Sequence, residues 1–138
     1  MSGRQGEKAF TLFELLIGMT ILGIVLLAII SGYIGCLTLN EMSRNTTIAT
    51  EDSRCVLEQM RSLAVTSLTS ITSQNWTTWA ANNGLNSLSS EQITVTYTDR
   101  DLSGDSLDDD PLEVTVTVTW QERMRARGLA LSSLITIR

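Results

Sequence analysis

The apolar and polar positions of this chain fall into successive regimes, each with its own period. From Phe10 to Asn40 nearly every residue is apolar or small, and Glu14 is the sole charge before Glu41. As a helix that stretch would rise to roughly 45 Å, more than the hydrocarbon core of about 30 Å that a membrane presents. Beyond it the pattern turns amphipathic. Met42, Ala49, Val56, Met60 and Leu63 recur at helical intervals, with Arg44, Glu51, Arg54, Glu58 and Arg61 supplying a charged side. The spacing predicts one helix running to about Leu68, near 90 Å if unbroken.

The next regime, residues 71–90, is rich in Ser, Thr and Asn and reads as a loop pinned by Trp76, Trp79 and Leu85, with a turn at Asn82-Asn83-Gly84. After it the period changes to two. Ile93, Val95 and Tyr97 alternate with threonines; so do Val114, Val116, Val118 and Trp120; Leu129, Leu131, Ile135 and Ile137 follow. These runs predict strands with one apolar face each. The simplest connection is an antiparallel meander within 91–138, its second turn at Gln121–Gly128 forming a solvated basic tip with Arg123, Arg125 and Arg127. The expected fold class is α+β: a long N-terminal helix, membrane-spanning over 10–40 and amphipathic over 41–70, packed on a small antiparallel three-stranded sheet.

Composition narrows the chemistry. The chain of 138 residues has a net charge of −5, which argues against a nucleic-acid partner. It has no histidine, no nucleophile motif, and carboxylates grouped in one loop, so no acid–base or triad constellation assembles. A catalytic role is not expected. Cys36 and Cys55 would lie about 28 Å apart along one helix, too far for a disulfide, and two separated thiols make no zinc site. No cofactor is required by anything in the pattern.

Glu14 is the residue that needs explaining. A carboxylate in a membrane-length apolar run is costly and generally has a partner or a task. Here it follows a short polar leader with Arg4 and Lys8, and the small residue Ala9 precedes the apolar run. An ordinary secretory signal carries its cleavage site after the apolar core. The block Ala9-Phe10-Thr11-Leu12-Phe13-Glu14-Leu15 instead resembles the processing site of type IV pilins and type II secretion pseudopilins. The resemblance implies a prepilin leader of residues 1–9, cleavage between Ala9 and Phe10, N-methylation of Phe10, and a role for Glu14 in assembly. The family usually has glycine before the cut, where this chain has Ala9, the next smallest side chain.

The resemblance further implies other pilin or pseudopilin subunits, a prepilin peptidase and methyltransferase, an inner-membrane assembly platform and membrane lipid as partners. Arg4 and Lys8 would keep the N-terminus cytoplasmic, giving a single-pass protein of the bacterial inner membrane with its head outside. Leu57 to Leu63 and the ending Val114 to Ile137 look, more loosely, like minor pilins of the pilus-modification class. The implied function is a minor pilin or pseudopilin of a type IV pilus or type II secretion system. A single-pass membrane-anchored extracytoplasmic binding module unrelated to filaments fits the same residues, and predicts an uncut N-terminus with Glu14 among the headgroups.

The acidic stretch Asp99 to Asp110 supports two readings. Asp99, Asp101, Ser103 and Asp105 around Gly104, with Asp110 twelfth, resemble a calcium loop of the EF-hand kind. Asp110 replaces the usual glutamate, however, and Ser106 stands where an apolar residue is expected. Related pseudopilins hold calcium in C-terminal loops, which favours the ion. The other reading is a soluble turn built from Asp and Gly and ended by Pro111.

Overall fold

In a computed structural model of the chain, residues 11–65, 67–100 and 111–136 are described. The chain divides after Glu41 into two compact units.

The first unit holds the early turns of helix α1 (Leu12–Ala64). Thr11 starts the helix: its Oγ1 accepts the Glu14 N–H at 3.3 Å, and its carbonyl accepts those of Glu14 and Leu15. The carboxylate of Glu14 thus lies in the first turn, where the helix dipole favours an anion. Hydroxyls along the apolar stretch turn back onto their own helix. Thr20 Oγ1 donates to the Ile17 carbonyl at 2.8 Å, and Thr38 Oγ1 to that of Ile34 at 3.0 Å, so neither demands an outside partner. The helix is long and apolar enough to cross a membrane, and its most apolar window buries nothing within the described chain.

The second unit is the head. It contains the rest of α1, the short helices α2 (Leu68–Thr72) and α3 (Trp76–Asn82), and strands β1 (Gln92–Thr98), β2 (Leu112–Glu122) and β3 (Arg125–Ile135). The strands form an antiparallel sheet in the order β1-β2-β3, the meander expected from the period-two runs. β2 is the central strand and alternates most cleanly, burying Val114, Val116, Val118 and Trp120 against α1 residues Ala49, Val56 and Met60. Ile71, Trp76 and Ala80 close the same core. The opposite sheet face presents Thr94, Thr96, Thr115, Thr117 and Thr119. Thr94 lies opposite Thr117, and Thr96 opposite Thr115.

Two sequence expectations are corrected here. The amphipathic helix does not reach residue 70: α1 ends at Ala64, and Ser67 caps α2 by accepting the Ser70 N–H. Residues 71–90, expected as a loop, hold the end of α2 and all of α3. Asn75 Oδ1 accepts the Thr78 N–H at 3.0 Å, and Leu85 N–H closes onto the Ala80 carbonyl with Gly84 at φ 78. Polar residues that read as loop are therefore caps. Asn82-Asn83-Gly84 does terminate a segment, as the C-cap of a helix.

The second turn is also displaced. β2 continues to Glu122 and β3 begins at Arg125, leaving only Arg123 and Met124 between them, both in the left-handed region at φ 47 and 64. Gly128, expected in the turn, is a strand residue opposite Thr119, and Arg125 and Arg127 stand on β3 rather than in a loop tip.

Candidate functional site

Ala9 and Phe10, the expected cleavage and methylation pair, lie outside the described residues. The nearest described chemistry is Glu14, on a helix whose flanking side chains, Phe13, Leu15 and Leu16, are all exposed. The carboxylate therefore projects from a surface that would otherwise match lipid or another apolar helix. In hydrocarbon such a group costs about 3 kcal/mol, a cost that a cation brought to it offsets. Chemically the segment can dock beside a second helix of like character and neutralise one positive group.

Of the candidate calcium ligands, Asp99 is described, and Asp101, Ser103, Asp105 and Asp110 lie outside the described residues. Among the described residues no group of three His, Cys, Asp or Glu side chains could hold a metal ion. Cys36 and Cys55 are free thiols, both exposed.

The head contains polar groups that periodicity did not single out. Asp52 is buried on the inner face of α1, one turn before Val56. Burial pushes its pKa up to about 6, and a hydrogen bond and charge repulsion from Glu91, then repulsion from Glu51, push the same way. The carboxylates of Asp52 and Glu91 face each other, and Glu91 Oε2 also accepts the Leu88 N–H at 2.8 Å, fixing the approach to β1. One signal was available: Asp52 sits three residues after Ala49 and four before Val56, both on the apolar stripe.

Glu122 is the second buried acid. Asn45 Nδ2 donates to its Oε1 at 2.8 Å, and Arg127 lies 3.4 Å from its Oε2. This ties α1 to the β2–β3 hairpin. At the far end of the core, Trp76 Nε1 donates to the Ile71 carbonyl at 2.9 Å and to Tyr97 Oη at 3.2 Å. Burial raises the Tyr97 phenol above its usual pKa, partly countered by that indole bond. Trp76 and Trp79 meet edge to face, their ring centroids 5.6 Å apart. Trp76 is a core residue here, as its spacing suggested, and offers no exposed ring to a ligand.

Comparison with known proteins places the specific signal at the N-terminus. Residues 4–30 match a family model described as the prokaryotic N-terminal methylation motif. No curated protein and no solved structure matches the chain. The matched span holds Arg4, Lys8, Ala9, Phe10, Glu14 and the first turns of the apolar helix. The motif in that span, the long helix that begins within it and the small antiparallel sheet that follows fit the signature of the type IV pilins and pseudopilins.

Proposed function

We propose that this protein is a minor pilin or minor pseudopilin, cut between Ala9 and Phe10 and methylated on the new N-terminus. The observation that carries this reading is one acid, Glu14, near the start of an otherwise uncharged helix within the methylation motif. Before assembly the subunit waits in the inner membrane, its N-terminus cytoplasmic because of Arg4 and Lys8, its head outside. On assembly, helices of neighbouring subunits replace lipid around the apolar stretch. The Phe10 amine of one subunit then meets the Glu14 carboxylate of another, and each relieves the burial cost of the other. The small residues Gly18, Gly23, Gly32 and Gly35, with no Cβ to hold neighbours off, let such helices approach closely. The segment Leu57 to Leu63 and the ending Val114 to Ile137 favour the pilus-modification class of minor pilin.

The decisive measurement is the mass of the mature N-terminal peptide from cells containing the prepilin peptidase. It should begin at methylated Phe10; retention of residues 1–9 would overturn the proposal. Glu14→Ala should insert into the membrane normally and yet enter filaments poorly, at about a tenth of the wild-type level or less for the loss of one buried pair. Immunoblots of membrane and sheared-filament fractions read both quantities.

A further inference from the structure

The head's sheet has two edges, and they are treated differently. At β1, helix α3 packs against the strand, and Thr77 Oγ1 donates to the Ile93 carbonyl at 2.8 Å. An incoming strand would have to displace that helix. At β3, the other edge, no such cover exists among the described residues.

The hairpin fixes which backbone groups β3 leaves open. A two-residue turn makes Glu122 and Arg125 a hydrogen-bonded pair, so alternate residues from Arg125 onward bond to β2. The N–H and C=O groups of Ala126, Gly128, Ala130, Ser132 and Leu134 therefore point away from the sheet. None of them has a backbone partner among the described residues. Natural edges are commonly blunted by Pro, Lys or a bulge. β3 spans 11 residues and contains neither Pro nor Lys.

Beside this edge runs a seam between β3 and α1 with open cavities along it. One of about 340 Å³ lies between Arg61 and Val65 of α1 and Leu134 of β3. A second, about 390 Å³, is bounded by Arg54, Leu57 and Leu131. A third, about 170 Å³, reaches Arg127 and Leu129. Leu57, Leu129, Leu131 and Leu134 give the seam apolar patches, and its cations Arg54, Arg61 and Arg127 outnumber its acids, Glu58 and the buried Glu122, on a molecule whose net charge is −5. Arg54 has no ion pair or hydrogen bond among the described residues, nor has Arg125. Arg61 has a bond to Ser133 Oγ at 3.0 Å and a long, exposed contact with Glu58 at 3.9 Å, which holds it weakly.

A second copy is a poor match for this groove. Antiparallel pairing of β3 with itself about Ala130 would set Arg127, already paired with Glu122, opposite the Ser133 that Arg61 holds, and β3 carries no acid to offer Arg54 or Arg61. Acid-bearing chain fits instead. We infer that the open β3 edge and the α1 seam take an extended segment of a partner protein as an added strand, with carboxylates near its ends and small apolar residues between. Main-chain bonds to Ala126–Leu134 hold the strand, and Arg54, without an ion pair among the described residues, and the weakly held Arg61 choose it. The inference stands on the head alone and is independent of processing at Phe10.

The test uses the full chain in detergent micelles and a fluorescent synthetic peptide of alternating Val and Thr with Glu near each end. Fluorescence anisotropy should show saturable binding, about tenfold weaker for the same peptide with Lys in place of Glu. Ala130→Pro removes an outward N–H without touching the β2 ladder, and should abolish binding while the melting curve is retained. Should that variant not fold, hydrogen exchange in the wild-type protein decides: the peptide should slow the amides of Ala126, Gly128, Ala130, Ser132 and Leu134. Equal binding of the acidic and basic peptides, or unchanged exchange at those amides, overturns the inference. So does protection of the same amides by self-association without peptide.

Discussion

At the residue scale, Asp52 sets the pH response of the head. Its carboxyl is easier to protonate in the folded chain than in the unfolded one, about 6 against 3.8. Between those values the folded state holds the extra proton, so stability is greatest toward pH 4 and falls as pH rises through 6. The loss should be on the order of 2 kcal/mol. Asp52→Asn keeps the shape, removes the charge and should flatten the profile, gaining about 1–2 kcal/mol at pH 7. Denaturant melts from pH 4 to 7.5 on both proteins check the slope and its sign; a wild-type protein that gains stability across that range refutes it. The acid itself was written in the sequence, but its partner was not. Glu91 meets Asp52 only because the strand approach folds back over α1, and a meeting of residues that far apart leaves no local pattern.

At the scale of elements, legibility followed the length of the pattern. The apolar stretch is long and nearly uniform, β2 is long and strictly alternating, and both appear where those patterns placed them. The short helices α2 and α3 were hidden because helices of 5 and 7 residues offer too few positions for an amphipathic period to show. Only their caps, Ser67 and Asn75, could have announced them. The β2–β3 turn was misplaced for a different reason. Arg123-Met124 is no turn signature, whereas Gly128 and the arginines nearby looked like one. The pairing of Glu122 with Asn45 and Arg127 extends the hairpin beyond the point where hydropathy fades.

That turn holds Met124 at φ 64 with its side chain 99% exposed, so backbone geometry outweighs packing there. Met124→Gly should stabilise the head by about 0.5–1 kcal/mol, and Met124→Val, branched at Cβ, should cost about 1 kcal/mol. Chemical denaturation measures both. A ranking in which Val exceeds Gly would contradict the positive φ.

For the molecule as a whole, the methylation motif matched at residues 4–30 was legible from the residues alone, because basic residues, acid and apolar run are contiguous and each has a physical meaning. The candidate calcium ligands were legible as a pattern, yet most of them lie outside the described residues. The groove along β3 was not legible at all. It is made by what a neighbouring helix leaves uncovered, and no run of residues encodes that. The membrane half carries its own prediction: the chain should stay with the membrane pellet through alkaline carbonate and be released by detergent, as an apolar span requires. Release by carbonate would contradict it.

The threonine-covered side of the sheet has an evolutionary corollary. The side-chain bonds of its threonines stay within the sheet, Thr115 to Ser132 and Thr94 and Thr96 to carbonyls of β2, and these positions suit residues comfortable in extended backbone. Lineages could redecorate that coat freely, evading recognition from outside, while the load of folding stays with the layer below.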